Sequence, residues 1–328
     1  MNTENSTHQV RRLSLVADDR ETVAGYLRRW ITGRRALRPS TVTSYQSTIE
    51  KYLIPHLGDI ELRFLLASDI DAMYQRILAT GSVGVRTVTR IHATLMSALN
   101  SAVRTGQLER NQAELVELPR STQFSNNTWN ATQLGEFLRA IKDDELFALY
   151  ALLALRGLRR GEALGLQWRD LKFGEGQIRV ERQVTGSGST LNVGDPKSSS
   201  GIRTIAIDTR LVAALQAQQI RRASQLGRAQ LDTDWVFGDD EGGPVRPIDA
   251  TRRFQRLVKR SGLPPIRLHD LRHTSATLGL ATGESLLEVS RRLGHSSVVI
   301  TGDIYSDVSP ELARTAAERL ANHIWDDE

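Results

Sequence analysis

From Val23 to Ala102 apolar side chains return every three or four residues, a period that suits amphipathic helices and not half-buried strands. Val23, Tyr26, Leu27, Trp30 and Ile31 make the first stripe, and Val42, Tyr45, Ile49, Tyr52 and Leu53 the second, after a Pro39-Ser40 start signal. Ile70, Met73, Tyr74, Ile77 and Leu78 form a third, and Val88, Ile91, Leu95, Leu99 and Ala102 a fourth. Pro55-His56-Leu57-Gly58 reads as the loop between the second and third helices. Such helices bury their stripes on one another, so residues 21–106 predict a small bundle whose aromatic residues are core. Residues 1–20 are polar and unpatterned and predict a flexible arm; residues 107–128 lose the period and predict a linker.

The chain beyond residue 128 mixes periods. Two helices are expected around Leu134–Ile141 and Leu146–Leu155, the second running into Gly157-Leu-Arg-Arg-Gly-Glu162. Two glycines bracketing paired arginines let backbone and ligand come close. Alternating patterns at Gln177–Val184 and Arg203–Ile207 predict a small antiparallel sheet, with Lys197 in or beside the turn between. Helices follow at Leu211–Leu226 and Ala250–Ser261. The acidic turn between them, residues 238–243, lacks the ligand alternation of a calcium loop. In Leu268-His-Asp-Leu-Arg-His-Thr274 and Leu293-Gly-His-Ser296, the flanking Leu268, Leu271, Leu278, Leu280, Leu286, Leu287, Val289 and Leu293 look like buried sides of short helices. His269 and Arg272 share a helical face.

Those polar residue types suit one chemistry. A guanidinium fork matches phosphate oxygens, and an imidazole donates to a phosphoryl oxygen or passes a proton. The phenol of Tyr305 attacks phosphorus only when cations stabilise its phenolate and the charge growing on the phosphate. Such a cluster can open a phosphodiester without metal. Charge distribution points to the same ligand. Residues 1–106 carry 14 Lys and Arg against 9 Asp and Glu, whereas residues 107–328 carry 29 of each, so the formal excess of +5 lies in the bundle. A basic bundle clamps a polyanion. With no cysteine, disulfides and thiolate chemistry are excluded. With no apolar run of spanning length and no signal-peptide pattern, no membrane is implied and the chain reads as cytoplasmic.

Gly157-Leu-Arg-Arg-Gly-Glu162, Lys197, Leu268-His-Asp-Leu-Arg-His273, Leu293-Gly-His-Ser-Ser297 and Asp303-Ile-Tyr305, in this order and spacing, resemble the tyrosine recombinase or phage integrase family. The resemblance implies a mainly α fold with a small antiparallel β-sheet: an N-terminal helical bundle of the SAM-like core-binding type at 21–106 and an α+β catalytic domain at 129–310. A tail at 311–328 would dock on a neighbouring protomer or close its own domain. It implies that Arg159 and Arg272 grip the non-bridging oxygens of a scissile phosphate, and that His269 and His295 donate to it or move protons. Lys197 would protonate the departing 5′-oxygen and Tyr305 would form a 3′-phosphotyrosyl bond, while Glu162 orients a neighbour. No cofactor or metal is called for. The expected partners are double-stranded DNA core sites, a homo-tetramer assembled on them and an accessory directionality protein. Arg156 stands where the family often has a small or hydroxyl residue, and residues 1–20 are too few for an arm-site-binding domain, which predicts a simple two-domain integrase acting on short inverted core sites. The rival readings are a DNA-binding regulator that keeps the fold, a type IB topoisomerase-like enzyme, and a metallohydrolase using His269, Asp270 and His273 in the manner of His-Glu-x-x-His.

Overall fold

The structure, a computed structural model, describes residues 20–119, 127–187, 190–196, 199–295, 297 and 321. The chain forms two compact units, Met1–Phe124 and Ser125–Glu328.

The first unit is helical throughout its described part. Helix α1 (Val23–Thr32) starts at Thr22, whose hydroxyl accepts the Gly25 amide at 3.2 Å. Helix α2 (Pro39–Thr48) begins with proline, whose missing N–H is no loss in a first turn. It does not stop at Pro55 as the sequence suggested. The chain passes through a π-helical turn, Ile49–Leu53, into α3 (Ile54–Leu57). The widened turn makes room where the Pro55 ring would press on the carbonyl four residues back. Helices α4 (Ala67–Ala79) and α5 (Val85–Arg104) complete the bundle. All four predicted stripes supply its core, including fully buried Leu27, Leu53, Ile70 and Leu95. Leu108, Ala113, Val116 and Leu118, within the stretch read as linker, pack on this same core through a 3₁₀ turn at Gln112–Leu115.

The second unit is built on α7 (Phe147–Arg156), which is buried almost all round and packs against α6 (Ala131–Ala140), α8 (Arg160–Leu164), α9 (Thr209–Leu226) and α11 (Asp270–Ala281). Reciprocal hydrogen bonds between Asn130 and Gln133 start α6. Trp129, Phe137, Tyr150 and Phe254 meet in tilted and edge-to-face contacts, drawing in α10 (Pro247–Ser261). Helix α12 (Leu286–Leu293) is capped by Ser285 and Glu288. Leu286 and Leu287, expected inside, lie 42% and 45% exposed in its first turn, ahead of Val289 and Leu293, which face α11.

The strands correct the expected sheet. Strands β1 (Leu171–Lys172), β2 (Gln177–Val180) and β5 (Arg203–Ala206) make one antiparallel sheet in the order β1-β2-β5, with Ile178 opposite Ile205. The anticipated strand 177–184 breaks at Glu181-Arg182, and β3 (Gln183–Ser187) pairs instead with β4 (Thr190–Gly194). Arg182 turns inward there to the buried Asp170 carboxylate. In the acidic turn, Asp239 spends its carboxylate on the Glu241 and Gly243 amides at 3.1 and 2.8 Å. No helix of the described residues is long and apolar enough to cross a membrane.

Candidate active site

Helix α7 ends at Gly157, whose φ of +67° reverses the chain into the extended Arg159 at the start of α8. A β-carbon at Gly157 would collide with Leu293 and press on Ser275, so only glycine allows this corner. Glu162 reaches back one turn: Oε2 accepts the Arg159 amide at 3.0 Å and Oε1 accepts Arg159 Nη1 at 2.7 Å. Arg159 Nη2 then donates to the Gly294 carbonyl at 3.1 Å, tying the first arginine to the residue before His295. Arg160 turns elsewhere, to the Thr251 hydroxyl at 2.5 Å, so of the paired arginines it is Arg159 that enters the cluster.

Arg272 comes to the same place from the first turn of α11. Its residue is buried, with 4% exposure, and Nη1 donates to the Gly157 carbonyl at 2.6 Å. Nη2 is buried with no hydrogen-bond partner among the described residues. Burial, and then repulsion from Arg159, Arg203 and Arg292 against the pull of Glu162, push this guanidinium down to about 9. A buried donor within such a cluster is a receptor for an anion.

The imidazoles are set for neutrality. Partial burial, followed by repulsion from Arg272, Arg159 and Arg203, lowers His295 to about 4. His269 begins α11 with an exposed surface, yet protein crowds it from the sides, and that desolvation followed by repulsion from His273 and Arg272 lowers it likewise. Its ring meets that of His273 edge to face, 5.3 Å between centroids. Asp270, the carboxylate a metallohydrolase would use, is held by the Arg267 guanidinium at 2.6 Å and the Arg267 amide at 2.7 Å. No group of three or more metal-ligating side chains occurs among the described residues.

Two members of the cluster escaped the sequence reading. Arg203 on β5 donates Nη2 to Glu162 at 2.9 Å, Nε to the Arg292 carbonyl at 2.7 Å and Nη1 to the Gly201 carbonyl at 2.9 Å. Arg292 on α12 bonds Glu284, the Ser275 hydroxyl and the Arg156 carbonyl, at 2.7, 2.8 and 3.1 Å. A signal existed for the first: Arg203 has the same strand phase as Ile205 and Ile207, so the alternation points it inward. Glu162, 1% exposed, is ionised because Arg203 and then Arg159 outweigh the desolvation that opposes its charge. The structure therefore gathers Arg159, Glu162, Arg272 and His295, with His269 beside Arg272. Lys197 and Tyr305 lie outside the described residues.

Comparison with known proteins fits this geometry. The model of the phage integrase family matches residues 130–312. A tyrosine recombinase XerC-like protein of Caldanaerobacter subterraneus is 26% identical over 309 residues, covering 88% of this chain and 79% of that protein. The ICEBs1 integrase of Bacillus subtilis is 29% identical over 285 residues, covering 83% and 76%. Among solved structures, the Tn1549 transposon integrase in complex with transposon right end DNA superposes with a TM-score of 0.78 at 23% identity, covering 92% of this chain and 99% of that one. A lambda integrase tetramer bound to a Holliday junction superposes with a TM-score of 0.69 at 21% identity, covering 88% and 78%.

Proposed function

This chain belongs to the phage integrase family, and from that premise we propose that it cuts and rejoins double-stranded DNA at specific sites through a covalent tyrosine intermediate. The observation that carries the assignment of roles is the buried, half-satisfied Arg272 guanidinium facing Arg159 in a cluster of positive charge. A phosphodiester supplies the missing acceptor and cancels the repulsion, so Arg159 and Arg272 take its two non-bridging oxygens. His269 and His295, neutral before DNA arrives, donate to the phosphate or take a proton, and the phosphate's charge draws each toward the imidazolium. The Tyr305 phenol attacks phosphorus, the bond from phosphorus to the 5′-oxygen breaks, and that oxygen leaves with a proton from Lys197. The phosphotyrosyl bond conserves the energy of the broken linkage, so a 5′-hydroxyl from another strand reverses the step and rejoins DNA without ATP. Exchange of four strands in two pairs calls for several protomers, and the assembly proposed is a tetramer on two core sites, with a directionality protein choosing between insertion and excision.

The test uses the half-site that the full chain selects from a random duplex library, rebuilt as a set of nicked duplexes and incubated in EDTA. An SDS-resistant protein–DNA adduct is expected, and Tyr305→Phe is expected to abolish it. An adduct that persists in Tyr305→Phe, or one that needs a divalent metal, overturns the assignment.

A further inference from the structure

Arg159 has two side-chain anchors, the Glu162 carboxylate and the Gly294 carbonyl. Both touch Arg203. Arg203 holds the other oxygen of Glu162 at 2.9 Å. It also binds the Arg292 carbonyl at 2.7 Å at the end of α12, and its Nη1 lies 2.8 Å from where a Gly294 β-carbon would stand. Gly294, at φ +69°, is therefore shaped to let the chain pass over this guanidinium. The two arginines differ in what they leave free. All three Arg203 nitrogens are committed to protein acceptors and its side chain is 8% exposed, whereas Arg159 Nε has no acceptor among the described residues and its side chain is 34% exposed.

We propose that Arg203 is a positioning residue for Arg159. By occupying Oε2 of Glu162 it leaves that carboxylate one oxygen for the Arg159 side chain, so Arg159 is gripped along one edge and presents the other outward. Without Arg203, the buried carboxylate keeps a single cation and draws Arg159 into a two-pronged pair, turning its donors and charge away from the phosphate. The end of α12 loses its tether in the same change, and with it the carbonyl that holds Arg159 Nη2. Arg203 thus governs how much of the Arg159 charge reaches the DNA while never touching it. This inference rests on the phosphate-gripping role proposed for Arg159.

The experiment compares adduct formation on two nicked duplexes of the selected half-site, one with a normal scissile phosphate and one with a methylphosphonate there. The phosphonate lacks the negative charge that Arg159 would neutralise. Arg203→Met is expected to slow adduct formation by ~10²-fold relative to wild type on the phosphate, the scale of a misplaced catalytic group. On the phosphonate it should fall within about threefold of wild type, and Arg159→Ala should show the same pattern, as expected when the charge to be neutralised is gone. Duplex affinity certifies each variant as folded; if Arg203→Met does not bind, Arg203→Lys, which keeps one donor on Glu162, is read in its place and should lose less on the phosphate. Recovery of Arg159→Ala on the phosphonate without recovery of the Arg203 variant overturns the positioning role alone. Failure of Arg159→Ala to recover overturns the role of Arg159 and the inference with it.

Discussion

Arg272 sits in an environment that stability alone would not select. Replacing it by methionine removes one hydrogen bond, worth ~1 kcal/mol, and leaves the Gly157 carbonyl unpaired. Against that loss stand the desolvation of a buried guanidinium and its repulsion by Arg159, Arg203 and Arg292, and exchanging buried charge for apolar volume is often neutral or stabilising by about 1–4 kcal/mol. Arg272→Met should therefore hold or raise the thermal unfolding midpoint while adduct formation falls by ~10²–10³-fold. A midpoint more than about 5 °C lower, beyond what 1 kcal/mol does to a unit of this size, would contradict the account. His295 makes a prediction about pH. Burial and the neighbouring guanidiniums push the folded imidazole down to about 4, below the 6.5 of a free imidazole. Across that window the unfolded chain binds more protons, so stability drops as pH falls from 6.5 to 4. In urea titrations His295→Gln should lose part of that slope, and identical slopes for the two proteins would refute it.

Among the elements, α8 is the shortest helix of the arginine cluster and depends most on close approach. A β-carbon on Gly161 would stand 2.5 Å from the Val184 carbonyl on β3, a backbone atom that cannot swing aside. Gly161→Ala should push α8 off β3, destabilise the second unit by ~1–3 kcal/mol as overpacking does, and reduce adduct formation through displaced Arg159. Unchanged stability and rate would show that the two elements are loosely joined. The same contact explains why the strand pattern from Gln177 to Val184 misled: alternation continues through it, but the chain must leave the β1-β2-β5 sheet at Glu181-Arg182 to pass along α8. Strand β4 had no comparable pattern, since Thr190-Leu-Asn-Val-Gly194 becomes a strand only by pairing with β3. Helix α3 was hidden for the opposite reason, because Pro55 signals a break that a π turn absorbs.

At the scale of the whole molecule, the main hydrophobic cores of the two units share no residue: among the described residues one draws on positions up to Leu118 and the other on positions from Trp129 onward. Residues 20–119 and 127–328, expressed separately, should each unfold in a cooperative transition of its own, and a non-cooperative melt of either fragment would show that its core is insufficient. The basic bundle predicts that DNA affinity of the full chain falls linearly in log–log plots against salt, with a slope near −0.9 per phosphate contacted. Helix periods, the order of the family motifs and the concentration of positive charge in the first 106 residues are properties of local chemistry, and the sequence by itself determined them. That Arg160 turns away to the Thr251 hydroxyl, and that Arg203 shares Glu162 with Arg159, was decided only in three dimensions. The reason is physical: a guanidinium's role depends on which acceptors surround it once desolvated, and here those acceptors lie as far as 136 residues away along the chain.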